Sequence, residues 1–216
     1  MYYKNDFLQK LQRKLGKFAI KNLMLYIVGT MAAVFAFSIV MPEVNLVSLL
    51  WFDQNAVMQG EVWRVITFIF IPPNFSIIFI VFALYLYWMI GRTLEGQWGA
   101  FRFNMFYLCG ILGSIAAGFI TGFATNTYLN LSLFLAFALL FPNFELRLFF
   151  ILPVKMKWLA LLNVAFLVYD FIISPWQLRA ALIASVINII LFFGKDLVIL
   201  LNNKRRRAQW KRDMRR

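Results

Sequence analysis

The chain has no histidine among its 216 residues. That absence removes the usual general base near neutral pH and the commonest transition-metal ligand together. It has one cysteine, Cys109, so no intramolecular disulfide can form and no thiolate metal site can be assembled. Beside Gly110 in an apolar run, Cys109 reads as a small packing residue. Charge is scarce as well: 14% of residues are charged against 62% hydrophobic and 19% aromatic, far too apolar for a soluble domain of this length. The composition is that of a membrane protein, and no metal or cofactor is expected. At about 20 residues per crossing, the apolar segments leave room for about six helices in one bundle. A second domain would not fit.

The charge that is present lies at the ends. A net charge of +13 would suggest nucleic acid in a soluble protein, but here placement matters more than size, and no nucleic-acid partner is expected. In residues 1 to 21, Phe7, Leu8, Leu11, Leu15 and Phe18 alternate at helical spacing with Lys10, Arg13, Lys14, Lys17 and Lys21. This is the pattern of a helix lying in the membrane interface, and residues 1–22 form the first unit. The apolar run Leu23 to Met41 is long enough to span, and Met41-Pro42-Glu43-Val44-Asn45 offers no small-residue cleavage pattern, which disfavours a signal peptide. The tail, residues 202–216, carries eight positive charges against one negative. Its Lys204, Arg205, Arg206, Arg207, Lys211 and Arg212 are expected to bind the anionic inner leaflet.

Residues 23–201 are read as a six-helix membrane domain. From Pro42 to Pro73 the chain is mixed: Asn45 to Phe52 can form a short amphipathic turn, and Val65 to Ile71 is apolar but too short to span. We read this as a first loop embedded in the outer interface. Pro72-Pro73-Asn74 ends it, because proline suits a first helical turn and not a helix interior. The second crossing follows from about Phe75 to Gln97, and the third from about Phe101 to Phe123. The third carries Gly110, Ser114, Gly118 and Gly122 at intervals of four, a stripe that lets another helix pack closely. Tyr128 to Phe141 would reach only about 21 Å against a hydrocarbon core of about 30 Å, so the other helices should surround it. Crossings five (Val154 to Ile173) and six (Gln177 to Leu201) are separated by Ser174-Pro175-Trp176.

Six crossings put both termini on one side. On the face then proposed as cytoplasmic lie 20 of the 22 basic residues, with only Arg64 and Arg179 outside, as the positive-inside rule requires. The small size and short termini suit a bacterial plasma membrane.

Three short stretches carry more than composition. Glu61-x-Trp63-Arg64 sits in the first loop; its indole suits the headgroup boundary, and its guanidinium can tie loop carbonyls together. Gly91-xxx-Glu95-xxx-Gly99 closes the second helix, with a carboxylate between two places where backbone can approach closely. An ionisable group there is expected to cap or bond a neighbouring segment. The third stretch is Leu148-Phe149-Phe150-Ile151-Leu152-Pro153-Val154-Lys155. In order and spacing these pieces resemble the rhomboid superfamily, which includes intramembrane serine proteases and the catalytically silent derlins.

The resemblance implies an all-α, six-transmembrane-helix rhomboid-like bundle, with Glu61, Trp63, Arg64, Gly91, Glu95 and Gly99 as structural residues. Active rhomboids use a serine in Gly-x-Ser-Gly at the start of helix four and a histidine in helix six. Here the corresponding stretch reads Tyr128-Leu129-Asn130-Leu131, so Asn130 stands at the serine's place. The helix-two positions that hold oxyanion donors in active members, counted back from Gly91, are Phe79 and Ala83. The implied function is that of a pseudoprotease, a protein that recognises transmembrane segments of clients, with Asn130, Ser132 and Asn188 as candidate client-binding residues. Two alternatives stand beside it: a rhomboid protease with an unfamiliar catalytic set, and a structural subunit of a membrane complex.

Overall fold

The computed structural model describes residues 6–73, 76–148, 152–176, 178–180, 182–184 and 186–192. The basic tail lies outside the described residues. Four helices are long and apolar enough to cross a membrane: α2 (Leu23–Val40), α6 (Ile77–Trp98), α7 (Ala100–Thr121) and α9 (Met156–Ile173). In hydrocarbon a chain must satisfy its own backbone, which is why such uninterrupted apolar stretches are helical. Two shorter apolar helices join them, α8 (Thr127–Leu140) and α10 (Leu178–Phe192).

Each long helix stops where the sequence removes its support. Pro42 follows the end of α2. Gly99, at φ 79°, turns the chain from α6 into α7. Gly122, left-handed at φ 84°, ends α7 and donates its N–H to the Gly118 carbonyl. Pro142 and Pro175 stand just beyond α8 and α9.

The chain before α2 forms a shorter helix than its periodicity suggests. Helix α1 (Asp6–Leu15) ends at Gly16, a short 3₁₀ turn follows over Gly16–Phe18, and Asn22 then adopts a left-handed conformation at φ 55°. Lys17 and Lys21 therefore lie beyond the amphipathic helix. Glycine weakens a helix interior by about 1 kcal/mol relative to alanine, enough to end so short a helix here.

The loop between α2 and α6 consists of α3 (Leu46–Leu50), β1 (Phe52–Asp53), α4 (Gln54–Met58), α5 (Arg64–Thr67) and a 3₁₀ turn, Phe68–Phe70. Asp53 caps α4, accepting from the N–H groups of Asn55 and Ala56. The architecture is not purely helical. β1 pairs antiparallel with β2 (Phe123–Ala124), and β3 (Glu145–Leu148) forms a hairpin with β4 (Leu152–Lys155). That hairpin occupies the stretch before α9 and delays its start to Met156.

The core is organised around α8, whose Leu129, Leu133, Ala136 and Phe137 are buried against α6, α7 and α9. Its start is set down inside the bundle. Leu129 meets Gly110, which is halfway along α7. The stripe on α7 serves three partners in place of one helix: Gly110 faces Leu129 and Asn188, Gly118 faces Phe52 and Ala124, and Gly122 makes the terminal turn.

Candidate functional site

Around Arg64, the guanidinium organises the loop. Its Nε donates to the Glu61 carboxylate, and one terminal nitrogen donates to the carbonyls of Ser48 and Trp51. Beside it the Trp63 indole donates to Leu49, and the Thr67 hydroxyl donates to Leu50 at 3.0 Å. Four consecutive carbonyls, residues 48 to 51, are thus engaged by side chains at and just before α5. That stretch cannot satisfy them within itself, and an unpaired buried carbonyl is costly.

A second pin holds the same loop from the bundle side. The Asn126 amide, 6% exposed, donates to the carbonyls of Ile69 at 2.9 Å and Ile71 at 2.8 Å. Together with the β1–β2 pairing, it fastens the loop over the start of α8.

At the opposite end of the bundle, Glu95 accepts from the Asn22 N–H at 2.7 Å. This satisfies a backbone donor just ahead of α2, where the left-handed Asn22 provides no side-chain cap. One turn earlier, Gly91 admits the body of Met24: a Cβ built at 91 would lie 2.5 Å from the Met24 Cβ. Gly99 behaves differently from the expected close-approach position. It lies beyond the last turn of α6, a Cβ there would meet nothing within 4 Å, and its role is the left-handed turn into α7.

The three interior polar residues are buried: Asn130 is 2% exposed, Ser132 1% and Asn188 4%. They do not form one hydrogen-bonded group. Ser132 donates to the Leu129 carbonyl on its own helix at 2.7 Å, with no base in contact among the described residues. Asn188 reaches across to the Phe106 carbonyl at 3.4 Å. Asn130 makes no hydrogen bond of ordinary geometry with any described residue, although Tyr87 approaches it from α6. A buried amide so placed is a high-energy feature, with a desolvation cost of about 1–3 kcal/mol.

Tyr87 is the neighbour the motif reading missed. It falls on the inward stripe Ile80, Leu84, Gly91 and Leu94, whose i, i+4, i+7 spacing was available to find it. On the same helix Phe79 is half-exposed on the outer face, while Ile80 and Leu84 face inward.

Helix α9 has an unusual exposure for its composition. Of its side chains only Met156 and Leu167 are buried, while Trp158, Leu161, Phe166 and Ile172 face outward. It rests chiefly on α8 and on β4, without substantial packing against α6. Among the described residues no group of three or more histidine, cysteine, aspartate or glutamate side chains could hold a metal ion.

No model of a known protein family matches the chain, and no curated protein matches it.

Proposed function

We propose that the chain is a catalytically silent, rhomboid-like membrane protein that recognises transmembrane segments of other proteins at the seam between α6 and α9. In this reading all six apolar helices cross the bilayer and both termini are cytoplasmic. The carrying observation is Asn130: a buried amide approached by Tyr87 but without a hydrogen bond of ordinary geometry among the described residues, behind a helix that leaves most of its apolar length uncovered. A polar or helix-weakened client segment gives such an amide something to bond, worth about 1–2 kcal/mol by model-peptide measurements. A well-packed apolar segment offers it nothing.

The chemistry of the residues favours recognition over hydrolysis. An amide is not a nucleophile, and the chain has no histidine to activate one. The rhomboid-like part of the reading is supported by the joint roles of its motifs. Arg64 and Glu61 organise the first loop, and Gly91 and Glu95 join α2 to α6.

The test is reconstitution with fluorescent transmembrane peptides, one containing polar residues and one all-leucine, read by energy transfer. Wild type should prefer the polar peptide by about tenfold, the equivalent of one such hydrogen bond. Asn130→Leu should erase the preference. Equal association of both peptides with wild type would refute the site, and cleaved peptide would refute the silent reading.

A further inference from the structure

A groove of about 410 Å³, to which neither α6 nor α9 contributes a wall, is bounded by the segment after α1, by α2, by the 3₁₀ turn of the loop and by α7. Phe18, Ile27, Ile69, Met105 and Leu108 form its walls, and only Asn104 and Tyr107 contribute polar atoms. Its lining selects the kind of occupant: the walls are almost wholly apolar, as a flexible hydrocarbon chain requires.

The groove is lined in part by the starts of α2 and α7, and the start of α2 is tied to the last turn of α6 by the Asn22–Glu95 contact. That end is basic. Lys14, Lys17 and Lys21 are exposed along the strip that forms one wall, and no carboxylate pairs with any of them among the described residues. Lys17 stands beside the groove, its ammonium 5.0 Å from the ring of Phe18, itself a wall residue. We propose that this groove binds one acyl chain of an anionic phospholipid, with the phosphate held by Lys14, Lys17 and Lys21. The break at Gly16 then has a purpose: it turns the lysines that follow α1 away from the helix axis and towards the headgroup level. The site is independent of the client reading, since no residue of α6 or α9 lines the groove.

The experiment places the full chain in phosphatidylcholine nanodiscs with a trace of a phospholipid bearing a photoreactive acyl chain, as either phosphatidylglycerol or phosphatidylcholine. Labelled peptides are then identified by mass spectrometry. The phosphatidylglycerol probe should label α7 around Met105 and Leu108 in preference to the phosphatidylcholine probe, by about fivefold for each lysine that reaches the phosphate. The triple variant K14Q/K17Q/K21Q should bring the two probes to parity in the groove. Leu108→Trp, at a half-exposed wall position that can accept an indole, should abolish groove labelling by both probes. It should leave labelling of the exposed face of α9 unchanged, which reports that the protein remains folded. Equal labelling of the groove by the two probes in wild type would overturn the proposal. So would groove labelling no stronger than that of α9.

Discussion

At the scale of single residues, two glycines of one motif do different physical work. At Gly91 the constraint is space, because Met24 occupies the position a side chain would take. At Gly99 the constraint is conformation, because φ is 79° with open space around it. Gly91→Ala should therefore destabilise by about 1–3 kcal/mol through overpacking, and Met24→Ala in the same chain should recover part of that loss. Gly99→Ala should cost about 1–2 kcal/mol through the left-handed backbone, with no recovery from any change at Met24. Thermal unfolding in detergent, run as a double-mutant cycle, separates the two, and identical coupling to Met24 at both sites would refute the distinction. Arg64→Ala should lower stability by about 1–3 kcal/mol, since it leaves the Ser48 and Trp51 carbonyls without their donor. Glu95→Gln, which keeps an acceptor for Asn22, should lose less than Glu95→Ala. The types of residue at these positions were legible in the sequence, but their partners were not. The amide that Glu95 holds belongs to a residue 73 positions away, and Met24 is one apolar residue among many on α2.

At the scale of elements, the long helices were readable because apolar length and proline or glycine stops are local properties. α2, α6, α7 and α8 all begin and end within a few residues of where those signals fall. What periodicity could not supply is how the elements between them are tied down. Asn126 reads in sequence as a helix boundary and nothing more. In the fold it is the clasp that joins the loop to the start of α8, through carbonyls 55 and 57 positions earlier in the chain. Asn126→Ala should leave the long helices intact while freeing the segment from Phe68 to Ile71. Hydrogen exchange should then rise across residues 64–71 and remain unchanged in α7, because local opening can occur without global unfolding. Uniformly faster exchange through the bundle would show that Asn126 supports the whole fold and not the loop alone. If the loop also covers the buried Asn130 amide, the same variant should change how readily the polar peptide associates, which links this clasp to the proposed recognition.

At the scale of the whole molecule, the arrangement of helices sorts charge. The Glu95–Asn22 contact brings the start of α2 to the end of α6, and the β1–β2 pairing brings the loop after α2 to the end of α7. Consecutive helices therefore place Lys10, Arg13, Lys14, Lys17, Lys21, Arg92, Arg102, Lys155 and Lys157 at one end of the bundle. Arg64 and Arg179 lie at the other. That separation was visible along the sequence as clusters. The fold adds that the described clusters share one end, which is the condition for them to act together on orientation. Translocating any one end would carry several lysines or arginines across the membrane, and the positive-inside bias is strongest close to the membrane-spanning ends. The basic end should therefore face the cytoplasm. Single cysteines in a Cys109→Ser background report this directly through an impermeant maleimide applied to intact cells. Cysteines at Gln12, Gln97 and Asn143, all exposed at the basic end, should be protected until the membrane is permeabilised. Those at Asn55, Gln59 and Ser174 should react at once from outside. Labelling of Gln12 and Gln97 from opposite sides would contradict the Asn22–Glu95 contact itself, and labelling of the whole basic set from outside would reverse the proposed orientation.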